Sequence, residues 1–352
     1  MARLAAILRA LWWAIRRDQK SVFSFTGNSF FIVSVVVMMD AGIFIYLLVA
    51  LVAIIPLSTD PSQKIPGSRL GCWPLNRVEL WILRMASPWV NPMTWVLASL
   101  AIAVVAGKVT IGLWLFIAAI VVGGLVVSSV PKTFEHTVLR RVPGFPGILN
   151  QLIRKDLRQV LSILDVYLAG LLSGFTAVVR LSGIDLPSQG LMILTALVVL
   201  ALSSYTLSLF GLDALAGLSR YRLLPLRGWQ SLVSKDLSVL LVSLPLLVPL
   251  QTAPGIGAIL VALAIGHRSS VRTARMQSPW RFSQGTSFLP LGLIHAVGIV
   301  SATAMISYHG PLLLAPCIAG WGWSIFHYGK AIERGVAWFD AHPLRRASSS
   351  EA

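Results

Sequence analysis

RYRLLPLRGWQSLVSKDL, residues 220–237, sits between two apolar runs, 190–209 before it and 237–250 after it. RLGCWPLNRVELW, residues 69–81, repeats its outline. In each stretch an Arg is followed five residues later by Pro-Leu: Arg69 by Pro74-Leu75 and Arg220 by Pro225-Leu226. A polar segment of helical character follows in both. Short Arg-rich connections between apolar runs are what the cytoplasmic side of a membrane protein accumulates. The two stretches therefore read as equivalent cytoplasmic elbows, and the rest of the chain is laid out from them.

Composition agrees. Of 352 residues, 56% are hydrophobic and 12% charged, against about 25% charged in soluble domains; mean hydropathy is +0.78. No long polar stretch exists to form a separate soluble domain, so an integral all-α membrane protein is predicted. The formal net charge of +16 would suggest nucleic acid for a soluble protein. Here positive-inside loops account for it, and no nucleic-acid partner is expected. Cys72 is assigned to a loop and Cys317 to a span, so no disulfide is expected.

Residues 1–21 read as an interfacial amphipathic helix, with Leu4, Leu8, Leu11, Trp12 and Ile15 at helical spacing among Arg3, Arg9, Arg16 and Arg17. An ordinary positive-inside anchor is the competing reading, and it gives the same location. The region 22–57 reads as one overlong helix or as two short spans turning at Asp40. The hairpin is preferred because a carboxylate at an interfacial turn is cheaper than one at mid-bilayer. Further pairs follow: 88–106 with 111–130, 163–179 with 190–209, 237–250 with 255–266, and 288–306 with 311–328. The sum is about ten spans in five hairpins. Every Lys and Arg except Lys108 and Arg180 then falls on one side, which places both termini in the cytoplasm.

Ile15-Arg16-Arg17-Asp18 matches Ile153-Arg154-Lys155-Asp156 at an offset of 138, and the elbows repeat at 151. A longer external turn in the second copy accounts for the difference. A parallel internal repeat follows. The first unit is 22–130 with its elbow at 59–87, and 131–162 is a basic cytoplasmic connector. The second unit is 163–268 with its elbow at 211–236. A loop and final hairpin (269–330) and a polar tail (331–352) complete the chain. Asp60 and Asp213 precede the two elbows. Each reads either as an ion-pair partner of the elbow, with Arg69 or Arg220, or as a solvated carboxylate, with the latter preferred.

FGLDALAGLSRYRLLPLRGWQSLVSKDL (210–237) resembles the cytoplasmic loop in membrane subunits of type-2 ATP-binding-cassette (ABC) exporters. Such loops read as an Arg, a Leu-Pro-Leu-like turn and a helix carrying Lys-Asp; here these are Leu224-Pro225-Leu226 and Lys235-Asp236. LIRKDLRQ (152–159) resembles the basic connecting helix that precedes the first span in that family, and RLGCWPLNRVELW is a weaker copy of the loop. Family members often have six spans, whereas this chain reads as ten. The resemblance implies a permease subunit powered by a separate ATPase, and the excess of Arg over Lys, 22 to 7, with the high Gly, Ala and Leu content, points to a bacterial inner membrane. Arg69, Pro74, Leu75, Arg220, Pro225, Leu226, Lys235 and Asp236 would couple it to a cytoplasmic ABC ATPase, itself dimeric. ATP and Mg would be bound by that partner, since this chain has no GxxxxGK[ST] loop and no cofactor motif of its own. Membrane lipids, and a second copy or another permease subunit, are the remaining implied partners.

Enzyme chemistry finds no HExxH, GxSxG or CxxC motif, and no metal-ligand spacing. Asp165, like Asp40, has an intramembrane or gating reading beside a structural one, and the structural one is preferred for Asp165. Arg180 and Asp185 are placed to pair across an outer turn. His295 reads as a packed, hydrogen-bonded side chain, and Trp321, Trp323, His327 and Tyr328 as an interfacial belt. Two other function classes remain open. One is an ion-coupled secondary transporter, with Asp40 or Asp165 as carrier; the other is a non-transporting membrane scaffold.

Overall fold

The structure, a computed structural model, describes residues 6, 7, 9, 12, 13, 76–90, 148–183, 185–213, 226–272 and 289–334. Among them all regular structure is helical. In chain order the helices are α1 (Arg77–Val90), α2 (Ile148–Leu161), α3 (Leu164–Leu181), α4 (Ser188–Thr206), α5 (Gly228–Leu247), α6 (Thr252–Arg272), α7 (Leu289–His309) and, after a 3-10 turn at Pro311–Leu313, α8 (Leu314–Glu333). Five of them are long and apolar enough to cross a membrane: α3, α4, α5, α6 and the 291–309 part of α7. The chain is thus a multipass helical membrane protein. The predicted spans at 22–57, residues 91–130 of the predicted pair 88–106 and 111–130, Asp40, Asp60, and the elbow residues Arg69, Pro74, Leu75, Arg220 and Pro225 lie outside the described residues; α1 runs across the predicted boundary between elbow and span at residue 88.

Three differences from expectation bear on the site. First, the polar segment after Pro225-Leu226 is not a separate elbow helix followed by a span at 237. One helix, α5, runs unbroken from Gly228 to Leu247. Second, α6 continues well past 266, through His267 to Arg272, because Ser269, Ser270 and Val271 are buried against α4 and its C-terminal turn rather than solvated. Third, α8 has the length of a span but stands outside the apolar five. Its Trp, His, Tyr, Lys and Glu residues dilute the apolar content.

α6 is the centre of the packing. α4, α7 and α8 lie along it, with α5 in lesser contact, and α2 and α8 pack on α5. The sequence-adjacent pair α7 and α8 straddles α6 instead of closing into a packed hairpin. Small residues allow the close approaches. A Cβ at Gly266 would fall 2.5 Å from Thr206 O, and one at Gly228 would fall 2.2 Å from Gly329 O; backbone atoms cannot yield as flexible side chains do. The core combines Leu164, Leu168 and Leu172 of α3, Leu194 to Leu202 of α4, and Ala258, Ile259, Ala262 and Leu263 of α6.

At the end holding the α3–α4 and α5–α6 turns, Gln251 joins three connections. Its N–H donates to Thr195 Oγ1 (3.3 Å), its side-chain amide donates to Ser188 O (3.3 Å), and its Oε1 accepts from Ser307 Oγ (2.6 Å). Arg180 donates to Pro249 O at 2.9 Å, so it reaches across to the next turn rather than to Asp185. Gly183 (φ 73°) and Gly310 (φ 96°) supply left-handed backbone at the two turns that need it.

Candidate functional site

The opposite end of the bundle holds two adjoining polar clusters. Both are built on consecutive residues of α5, Lys235 and Asp236. The helical stripe Ser231, Leu232, Lys235, Ser238, Val239, Val242 faces inward, and this register draws Lys235 into the interior. α2 does the same with Leu152, Ile153, Asp156, Leu157 and Val160. Each helix thus carries an ionised side chain at a position its apolar neighbours bury.

In the first cluster Lys235 Nζ donates to Asp156 Oδ1 (3.1 Å) and to Gln159 Oε1 (3.2 Å). It also makes an ionic contact with Asp213 Oδ2 at 2.9 Å. Lys155 pairs with Asp213 Oδ1, and Gln159 Nε2 donates to the same oxygen (2.9 Å). Ser234 Oγ donates to Asp156 Oδ2 at 2.7 Å, and the Phe210 ring lies 5.1 Å from Lys235 Nζ. Among the described residues, the ion pairs of this cluster set two ammonium groups against two carboxylates. Lys235, Asp156 and Asp213 are about 1% exposed at the side chain, while Lys155 is 43% exposed and opens the cluster to one side. Burial alone would raise the Asp213 carboxyl. The charges of Lys235 and Lys155, with hydrogen bonds from Lys155 and Gln159, outweigh it and hold that group below its ordinary value.

In the second cluster Asp236 accepts from His267 Nε2, 3.1 Å from both carboxylate oxygens, and from Trp321 Nε1 at 2.8 Å. His267 Nδ1 lies 2.9 Å from Ser324 Oγ, which donates to Ala264 O at 2.9 Å. Three helices, α5, α6 and α8, meet here. The order Asp236, His267, Ser324 has the outline of a nucleophilic relay. Yet Asp236 and His267 are fully buried, Ser324 is 2% exposed, and its hydroxyl is engaged by a backbone carbonyl. In this packing the group ties helices together and presents no nucleophile to a substrate. Among the described residues no group of three His, Cys, Asp or Glu could hold a metal.

The sequence-derived residues fall as follows. Lys235 and Asp236, expected as part of a partner-facing handle, point inward and are held by their own chain. Leu226 is half-buried beside the exposed Arg227 at the start of α5. Asp213, preferred as a solvated carboxylate, is buried and doubly ion-paired, and its elbow partner is Lys235 on α5. Asp165 is buried in the first turn of α3. His295 is packed as expected, with Nε2 3.1 Å from Ala262 O and 3.2 Å from Thr206 Oγ1. The aromatic belt needs one correction. Trp321 belongs to the Asp236 cluster, while Trp323 stacks on His327 at 5.1 Å and is exposed. Asp156, Gln159, His267 and Ser324 were not singled out from sequence as site residues. The signal was present in the apolar stripes of α2, α5 and α6, where each charged or polar intruder stands at a buried register.

The two elbows share one contact. Asn76 N–H donates to Glu79 Oε2 at 2.9 Å just before α1, and Arg227 N–H donates to Gln230 Oε1 at 2.9 Å just before α5. Both are the reach-back half of a capping box. They lie at the same offset, 151, as the Arg and Pro-Leu residues preceding them. Comparison with protein-family models, curated proteins and solved structures finds no match.

Proposed function

We propose that the chain is the membrane-spanning permease subunit of an ABC-type exporter in the bacterial inner membrane, powered by a separate cytoplasmic ATPase. In this reading it has ten spans, four in each of two parallel repeats and two in a final hairpin, with both termini cytoplasmic, and two elbows receive the ATPase. The observation that carries it is the continuity of α5 with its buried charges. A push on the Pro225-Leu226 bend enters a helix that is itself a span. It passes through Lys235 to the connecting helix α2 and the Asp213 turn, and through Asp236 to α6 and α8. A lever tied this way moves several helices together, as alternating access requires. The shared cap before α1 and α5 supports the equivalence of the elbows. ATP and Mg would sit on the partner. Arg220→Glu combined with Pro225→Gly is expected to abolish stimulation of the partner's ATP hydrolysis while leaving insertion intact. Unchanged stimulation would overturn the coupling role.

An ion-coupled transporter is the second reading, favoured by the buried Asp236–His267 pair. It requires substrate movement to collapse with the proton or sodium gradient when no ATPase is present.

A further inference from the structure

Where α5 begins and α8 ends, the two helices cross at Gly228 and Gly329. A Cβ on Gly329 would lie 2.8 Å from Trp229 N, so the backbones are in contact there. Glu333 Oε1 accepts from Gly228 N–H at 2.9 Å and closes the crossing on one side. On the other side the helices diverge around a cleft of about 520 Å³ lined by Arg227, Trp229, Gly322, Ile325, Phe326 and Lys330, with Glu333 at its edge.

The lining is divided by chemistry. Arg227 and Lys330 form a cationic rim, both exposed, with Lys330 Nζ 4.0 Å from the Phe326 ring centroid. Arg227 and Lys330 face the single Glu333 carboxylate, which the Gly228 amide holds to one side, so the lining is net positive. The wall is apolar and aromatic. It continues along α8 as a stripe at intervals of four, Ile318, Gly322, Phe326, and Lys330 terminates it. Ile318 and Phe326 are 52% and 59% exposed. A small soluble anion would use the rim and leave the wall unfilled. A ligand with an anionic head and a hydrocarbon tail uses both.

We propose that this cleft binds one anionic glycerophospholipid from the adjoining leaflet. The phosphate sits between Arg227 and Lys330, the glycerol region lies against Trp229, and an acyl chain follows the Ile318–Phe326 stripe. The site rests on the multipass membrane fold and not on the ATPase-driven reading.

The test is native mass spectrometry of the full chain in mild detergent, titrated separately with phosphatidylglycerol and phosphatidylcholine. One phosphatidylglycerol is expected to bind per chain, on the order of tenfold or more tighter than phosphatidylcholine. Arg227→Ala with Lys330→Ala should remove that preference. Arg272→Ala, which removes an exposed cation outside the cleft, should keep it. Gly322→Leu should weaken phosphatidylglycerol binding by filling the cleft; nothing lies within 4 Å of a Cβ at Gly322, so the added side chain starts in open space. Excess inorganic phosphate should not displace the lipid. Equal binding of the two lipids, a preference surviving the double substitution, equal loss in Arg272→Ala, or displacement by phosphate would each overturn the proposal.

Discussion

Lys235 Nζ lies 3.1 Å from Asp156 Oδ1, and both side chains are about 1% exposed. The contact fastens the connecting helix α2 to α5, with Asp213 as a second carboxylate on the same ammonium. An ion removed from water at this depth is tolerable only while its partners remain.

Lys235→Met therefore leaves Asp156 and Asp213 without their shared cation and is expected to cost about 3–5 kcal/mol. Adding Asp156→Leu removes one of the stranded carboxylates. The double variant should recover part of the loss, so that the two costs are not additive. Thermal unfolding of the four proteins in one detergent checks this, and simple additivity would contradict it.

Asp213 gives the cluster a pH dependence of known sign. Its carboxyl is depressed in the fold, so its contribution is complete above the unfolded carboxylate value. The contribution is lost as pH falls through the lower folded value. Melting temperature should hold from neutral pH down to about 4 and fall below that. Asp213→Asn should be less stable at neutral pH and should flatten the acid decline.

The second cluster predicts an unequal response. Trp321→Phe keeps an aromatic ring but loses part of the indole volume and one donor to Asp236, a hydrogen bond to a charged group whose loss alone should cost about 1.5–3 kcal/mol. His267→Phe leaves Asp236 buried with Trp321 as its remaining donor from this cluster and should cost more. Urea or heat titration of both variants in detergent gives the order.

Glycine substitutions separate close approach from propensity. Gly228→Ala drives a Cβ against Gly329 O and should destabilise or split the α5–α8 crossing. Gly174→Ala meets nothing within 4 Å on an exposed face of α3 and should be neutral or gain up to about 1 kcal/mol from helix propensity. Comparable losses at the two positions would contradict the packing described.

The helices α3, α4, α5, α6 and α7 were legible from apolar run length, because the bilayer sets that length. Their ends were less so. The sequence reading stopped α6 at Gly266 and began the span of α5 at Leu237, because Lys235, Asp236, His267 and Arg268 look like loop residues when counted for hydropathy. Counted for register, Lys235, Asp236 and His267 stand among buried neighbours, where pairing across helices offsets their desolvation. That pairing joins α2, α5, α6, α8 and the turn after α4, residues up to 85 apart, and no local pattern carries it. The central place of α6 was likewise invisible. Connectivity suggested hairpins, but small residues such as Gly266 let non-adjacent helices approach more closely.

The account turns on the elbow facing the cytoplasm and being covered by a motor subunit. A single cysteine placed by Ser219→Cys, with Cys72→Ser and Cys317→Ser, can be probed with a membrane-impermeant maleimide in vesicles of both orientations. The account predicts labelling from the cytoplasmic face alone, with protection in native membranes that is lost when peripheral proteins are stripped. Labelling from the external face alone, or labelling that stripping does not change, would contradict it.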